Sequence, residues 1–191
     1  ARIEDELGLP VFVKPARLGS SVGISCGDAA ADLDAALDLA LAHDDKVLVE
    51  ELVSGREVEC SVLGLPPDLE TSLVGEITYD AEWYDYEAKY ADGGSALVVP
   101  ARIPDEAAAQ VRAIAARAFA VCDCHGMARI DFFHTNAGRL VLNEINAIPG
   151  FTATSYYARM FEASGLAYGD LLTRLVDLAL ERHARNAALR R

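Results

Sequence analysis

Two apolar runs in the last third of the chain are interrupted by polar side chains at alternate positions. Arg129 and Asp131 punctuate "ARIDFF", and Glu144 and Asn146 punctuate "RLVLNEIN". Side chains alternate faces along a strand, so each pair shares one face. The turn "HTNAG" between the runs makes a hairpin, which can set the two faces side by side. Two carboxylates, an amide and a guanidinium then meet on one patch. Asp131, Glu144 and Asn146 offer hard oxygen donors suited to Mg²⁺, an ion that takes one or two carboxylates and completes its shell with phosphate oxygens and water. The patch therefore points to a nucleoside triphosphate. The competing reading is an Arg–Asp pair on a solvated face.

Two further groups fit that ligand without proving it. Lys14 ends an apolar run and precedes the Gly/Ser stretch in "VFVKPARLGSSVG". A lysine can supply charge to phosphates and such a loop can supply backbone N–H groups. The spacing is not that of a P-loop, and a plain β-hairpin turn explains the stretch equally. Glu50 and Glu51 close the run "VLVEEL", and Glu57 opens the next in "SGREVE". Carboxylates at strand ends are usually just solvated; the alternative is recognition of an adenine amino group and ribose hydroxyls.

The elements that must carry these residues follow from pattern. Strands are expected over 9–16, 23–26, 46–52, 54–65, 71–79 (one strand or a bent pair), 97–101, 127–133 and 139–146. Pro66 and Pro67 end the fourth of these. Helices are expected to end near residue 7 and to span about 28–42, 104–122, 155–164 and 168–187. Asp28 is the expected cap of the second helix, with Leu33, Leu37, Ala40 and Leu41 at helical spacing. The 104–122 helix should turn Val111, Ile114, Ala115, Ala118 and Val121 inward, with Pro104 in its first turn. Gly165 is the expected stop of the helix before it. Residues 80–96, aromatic and charged without a clean period, read as a long ordered loop of the kind that is often functional. Helices and hairpins alternate irregularly, so the class is α+β.

Composition narrows the function. The 191 residues carry 17 Lys plus Arg against 30 Asp plus Glu, a net charge of −13, which argues against a general nucleic-acid binder. No apolar run of about 18 residues occurs, so no membrane span or membrane partner is expected. No signal peptide is visible, and the chain opens at Ala1 without Met, which suggests a missing upstream segment. Cys26, Cys60, Cys122 and Cys124 match no zinc spacing and are expected as buried free thiols, in keeping with a reducing cytoplasm.

The ordered set "KPARLGSSVG", "VEELVSGREVE", "YDYEAKY", "ARIDFF" and "VLNEINAIPGFTATS" resembles the D-alanine–D-alanine ligases of the ATP-grasp superfamily, over about residues 8–180. The resemblance implies an ATP-grasp fold, two α+β subdomains whose sheets sandwich ATP. It divides the chain into a partial central subdomain, 1–55, and a C-terminal subdomain, 56–191, and implies that the N-terminal substrate domain is missing. The chain would then be the C-terminal part of a longer ligase, inactive or weak alone. The implied reaction joins two D-alanines through an acyl phosphate, for peptidoglycan precursors and hence cell-wall synthesis and cell shape in the cytoplasm. ATP and two Mg²⁺ ions (Mn²⁺ as an alternative) are the implied cofactors, and the full-length protein would be a homodimer.

By the same resemblance, Lys14 contacts phosphates, and loop 17–23 with Ser20 and Ser21 is the flap over them. Glu50, Glu51 and Val53 match the hinge that reads adenine; the family often has Lys at the second of these positions. Glu57 matches the ribose carboxylate, and Trp83 and Phe133 the apolar walls. Asp131, Glu144 and Asn146 match metal ligands, and Lys89 matches a lysine of the ω-loop that reaches the phosphates. Arg129 and the Gly150 backbone match oxyanion-stabilising groups. Ser155 and Tyr156 match the subsite for the second D-alanine's carboxylate, where the family more often has Leu at the second position. Ser20 and Tyr90 match partners that position the first D-alanine. The "YEAKY" loop is of the dipeptide-forming type, so D-lactate is expected to be a poor second substrate. Two rivals remain: a different ATP-grasp carboxylate–amine ligase, and a non-catalytic nucleotide-binding module.

Overall fold

The computed structural model describes residues 2–18, 22–79 and 95–189. The chain divides into two compact units, Ala1–Val53 and Ser54–Arg191.

The first unit contains α1 (Arg2–Leu7), β1 (Val11–Pro15), β2 (Ser25–Gly27), a 3-10 turn (Ala30–Asp32), α2 (Leu33–Leu41) and β3 (Val47–Glu51). The three strands form an antiparallel sheet in the order β2-β1-β3. Strand alternation sends Val11 and Val13 to one side, where they pack with Leu33, Ala36 and Ala40 of α2. Phe12 and Lys14 take the other side. Two expectations need correction. Asp28 does not cap α2; its carboxylate accepts from the Cys26 thiol at 3.2 Å, while Asp32 Oδ2 accepts from the Ala29 N–H at 3.0 Å. Leu41 is exposed, because Ala36 completes the buried stripe instead.

The second unit contains β4 (Gly55–Leu65), β5 (Asp68–Thr71), β6 (Gly75–Tyr79), β7 (Ser95–Val98), α3 (Asp105–Val121), β8 (Gly126–Thr135), β9 (Leu140–Asn146), α4 (Tyr156–Ala163) and α5 (Tyr168–Ala187). Its sheet runs β7-β6-β4-β8-β9, with β5 paired to the far end of β4. Among the described residues every neighbouring strand pair of this sheet is antiparallel. The prolines at 66 and 67 turn the chain into the β4–β5 hairpin rather than merely ending a strand, and β5 and β6 are separate. Residues 95–96 begin β7 rather than belonging to a loop. Gly55 opens β4 where a Cβ would come within 2.6 Å of the His134 carbonyl oxygen, so only glycine allows that approach.

One face of this sheet carries Val58, Cys60, Val62, Ala128, Ile130 and Phe132 against Val111, Ala115 and Phe119 of α3. The inward stripe of α3 was expected to include Ile114 and Val121, but these are 39% and 78% exposed. An alanine-rich helix leaves its phase open, and the large Phe119 settles it. Glu76, 3% exposed, sits on the same face opposite Val58. Arg56 Nη1 donates to it at 2.6 Å, and Arg102 donates from its backbone N, Nε and Nη2 at 3.0, 3.1 and 3.2 Å.

The opposite face is divided. Toward one end, Leu63 packs with Tyr157, Ala158 and Phe161 of α4 and Leu171 of α5. The Tyr157 hydroxyl donates to the Val62 carbonyl at 3.1 Å, and Ser61 Oγ donates to the Tyr157 carbonyl at 3.3 Å, so α4 is pinned to mid-β4. Gly165, at φ +95°, ends the α4 turn in a conformation that favours glycine. The other end of that face carries Glu57, Glu59, Arg129, Asp131 and Phe133. All four cysteines are free, but only Cys60 is buried; Cys26 and Cys122 are exposed and Cys124 is half-buried. Cys26 lies on an edge strand, and Cys122 follows the exposed end of α3. Among the described residues no helix is long and apolar enough to cross a membrane.

Candidate active site

Strand register builds the site. Pairing of β4 with β8 sets Glu57 opposite Phe133, Glu59 opposite Asp131 and Ser61 opposite Arg129. Pairing of β8 with β9 sets Arg129 opposite Asn146 and Asp131 opposite Glu144. Immediately beyond, the register shifts, and Phe132 faces Leu142. This bulge lets the polar residues align while the apolar ones downstream keep their own facing.

Arg129 grips Asp131 with two parallel hydrogen bonds, Nε to Oδ1 at 2.8 Å and Nη2 to Oδ2 at 2.7 Å. Asn146 Nδ2 donates to Asp131 Oδ2 at 3.0 Å and to Glu144 Oε1 at 3.1 Å, so one amide holds both carboxylates. Glu59 Oε2 lies 3.2 Å from Arg129 Nε. Burial pushes the Glu59 carboxyl up to about 8; Asp131, Glu57 and Glu144 add to the shift and Arg129 opposes it. Burial also raises Asp131, with Glu144 adding and Arg129 opposing. Burial alone would lower the Arg129 guanidinium, but its bonds to Asp131 and the charges of Asp131, Glu59 and Glu144 outweigh that and raise it. The guanidinium stays charged, and among the described residues it alone faces the three carboxyl groups of Glu59, Asp131 and Glu144.

A divalent metal fits this donor set. Two carboxylates held together by one amide, with Asp131 driven up by burial and further by Glu144, are what a divalent cation would relieve. Among the described residues no three His, Cys, Asp or Glu side chains form a metal cluster; beside Asp131 and Glu144 the site offers the amide of Asn146.

A second group lies beyond β9. Thr152 donates from its backbone N–H to Ser155 Oγ at 2.9 Å, and Gly150 approaches the same hydroxyl: a Cβ there would sit 3.4 Å from Ser155 Oγ. Ser155 stands just before α4. The Tyr156 hydroxyl shares a hydrogen bond with Ser95 Oγ at 2.8 Å, and its ring packs against Ile77, Leu97 and Met160. In the first unit, Lys14 Nζ lies 2.6 Å from Glu50 Oε2 on the face away from α2. Glu51 stands opposite Val11, on the other face of β3, and Val53 is half-buried at the end of the unit. Ser20, Ser21, Trp83, Lys89 and Tyr90 lie outside the described residues.

Glu59 is the residue that pattern reading passed over. It was legible in part: Glu57, Glu59 and Ser61 alternate along β4 as Arg129 and Asp131 do along β8. What places it beside Arg129 is the long-range register of β4 with β8.

Comparison with known proteins identifies the fold and the family of the chain. Its α+β architecture is an ATP-grasp fold: the D-Ala:D-Ser ligase VanG of Enterococcus faecalis aligns at TM-score 0.83 and 41% identity over 93% of this chain and 51% of that one. A D-alanine–D-alanine ligase from Coxiella burnetii aligns at TM-score 0.81 and 36% identity, over 93% and 47%. The family profile described as D-ala D-ala ligase C-terminus matches residues 1–177, and the chain belongs to that family. A D-alanine–D-alanine ligase of Deinococcus radiodurans is 52% identical over 179 residues, 92% of this chain and 52% of its own length. One from Paenarthrobacter aurescens is 53% identical over 184 residues, 93% and 49%. The chain therefore spans about half the length of these relatives.

Proposed function

We propose that this chain is the ATP-grasp part of a ligase that joins two D-alanines, forming D-alanyl-D-alanine and releasing ADP and phosphate. The observation that carries the proposal is the Arg129–Asp131–Asn146–Glu144 constellation on β8 and β9, in a chain of this family.

A carboxylate is a poor electrophile near neutral pH. Transfer of the γ-phosphoryl group of ATP to the first D-alanine makes an acyl phosphate. The amine of the second D-alanine then attacks the acyl carbon, the tetrahedral intermediate collapses and inorganic phosphate leaves. Asp131, Glu144 and Asn146 would hold two Mg²⁺ ions, which would supply charge neutralisation for the transferred phosphoryl group. Arg129, fixed along its Nε edge, and the Gly150 N–H stabilise the oxygen that becomes negative at the tetrahedral stage. Ser155, oriented by Thr152, and the first N–H groups of α4 at Tyr156 receive the carboxylate of the second D-alanine, an anion suited to a helix start. Lys14 contributes charge to the phosphates, with Ser20, Ser21 and Lys89. Glu50, Glu51, Val53, Glu57, Trp83 and Phe133 bind adenosine. Ser20 and Tyr90 position the first D-alanine.

The two units are the partial central and the C-terminal ATP-grasp subdomains, and the upstream half supplies the remaining substrate groups. The complete protein acts in the cytoplasm as a homodimer, and its free thiols fit that compartment. The test is product analysis of the complete polypeptide with Mg-ATP and D-alanine, with D-serine and D-lactate as competing second substrates. D-alanyl-D-alanine as the main product supports the proposal. ATP binding without any D-alanine-dependent product would overturn it in favour of a binding module, and a mixed product with D-serine would reassign the second substrate.

A further inference from the structure

Glu59 is nine-tenths buried, at 7% exposure, and Glu59 Oε2 accepts no hydrogen bond from the described residues although it lies 3.2 Å from Arg129 Nε. The same Nε donates to Asp131 Oδ1 and Nη2 donates to Asp131 Oδ2. Asp131 Oδ2 also accepts from Asn146. Asp131 thus has two claims on it. It holds Arg129 through both oxygens, and it is the candidate ligand of a divalent cation. A carboxylate drawn to a cation is a weaker partner for a guanidinium, and Arg129 then needs a second anion to stay in place. Glu59 is that anion by position, once the cation offsets the neighbouring charges of Asp131 and Glu144. It stands directly across from Asp131 on β4, in a strand fixed to β8 by ten consecutive residue pairs. The guanidinium is planar with five N–H donors, so fixing its Nε edge fixes the direction of the other donors.

We propose that Glu59 is a positioning residue that holds the Arg129 guanidinium in register while Asp131 serves the cation. The proposal rests on the reading of Arg129 as the oxyanion-stabilising group. It requires no proton transfer, only a fixed carboxylate beside Nε.

The experiment uses the complete polypeptide and the variants Glu59→Gln, Glu59→Asp, Arg129→Ala and the double variant Glu59→Gln with Arg129→Ala. Glu59→Gln is expected to lower kcat about tenfold with KM for ATP within about twofold of the parent, because positioning acts on the transition state and not on nucleotide binding. Glu59→Asp, which keeps the charge, recovers part of that loss. The double variant is no slower than Arg129→Ala alone, since Glu59 has nothing left to position. A readout independent of turnover is the Arg129 Nε–H resonance, identified by its loss in Arg129→Lys. With Mg-ADP bound it moves toward the solvent-exchanging position in Glu59→Gln. An unchanged kcat in Glu59→Gln, additive losses in the double variant, or an unmoved resonance each overturn the proposal. If Glu59→Gln does not fold, judged by its melting transition, Glu59→Asp carries the test: a fall in KM-independent rate supports it and an unchanged rate overturns it. A wild-type rate in Arg129→Ala sinks the reading of Arg129 itself, whereas a crippled Arg129→Ala beside an unaffected Glu59→Gln sinks only the role of Glu59.

Discussion

Glu76 and Glu59 stand on adjacent strands of one sheet and face opposite sides of it. Both are almost fully buried, and each meets arginine. Their environments differ in stoichiometry. Glu76 alone receives two guanidiniums and a backbone N–H. Burial would raise its carboxyl, but the bonds from Arg102 and Arg56 outweigh burial and hold it below the usual 4.5. Glu59 shares one guanidinium with Asp131 in a crowd of carboxylates, and its carboxyl is pushed up to about 8. A satisfied buried charge steadies a fold; an under-compensated one costs stability and is tolerated where a ligand will complete it. The α3 side of the sheet is thus built for folding, whereas the Glu59 end of the opposite side keeps an uncompensated charge.

The largest expected effect that separates the two sides is on turnover. Asp131→Asn should slow D-alanine-dependent phosphate release by roughly a hundredfold or more, a typical loss when a charge-stabilising group is removed. Its melting temperature should change little, because losing a buried charge beside Glu144 offsets the hydrogen bond that an amide nitrogen cannot accept from Arg129 or Asn146. Glu76→Ala should do the reverse. It should cost about 2 kcal/mol of stability, since Arg56 and Arg102 are partly exposed and can rehydrate, and leave kcat within about twofold. Urea unfolding and steady-state kinetics on the same preparations check both.

A finer contrast lies in pH, measured on metal-free protein with chelator present. Glu76 has a depressed carboxyl, so its contribution is complete above 4.5 and is lost as pH falls through its lower folded-state value. Glu59 has a raised carboxyl, so its contribution is present below 4.5 and is lost as pH rises through about 8. Glu76→Gln should therefore melt below the parent at neutral pH and converge with it in acid. Glu59→Gln should melt at or above the parent at pH 8.5. The smallest expected effect is at the edge of the sheet: Tyr156→Phe removes the bond to Ser95 and should cost about 0.5–1 kcal/mol, as one net hydrogen bond does.

How much of this was legible in the sequence depended on the range of the interaction. Arg129, Asp131, Glu144 and Asn146 belong to one hairpin, so strand alternation and a short turn were enough to bring them together. Glu59 enters through pairing between β4 and β8, which are separated by β5, β6, β7 and α3, and no local pattern reveals that register. The same limit explains β5, where two prolines signalled a break but not that the chain would fold back. In α3 the small residues left the phase undetermined until the bulk of Phe119 met the sheet. The family resemblance supplied roles for residues such as Lys14 and Glu57 that strand alternation alone could not assign.

The most direct test of the account compares D-alanine-dependent phosphate release from Mg-ATP by the complete polypeptide and by its Asp131→Asn and Glu76→Gln variants. The account predicts turnover in the parent and in Glu76→Gln, and loss of about two orders of magnitude in Asp131→Asn. Turnover by Asp131→Asn at the parent's rate would contradict it.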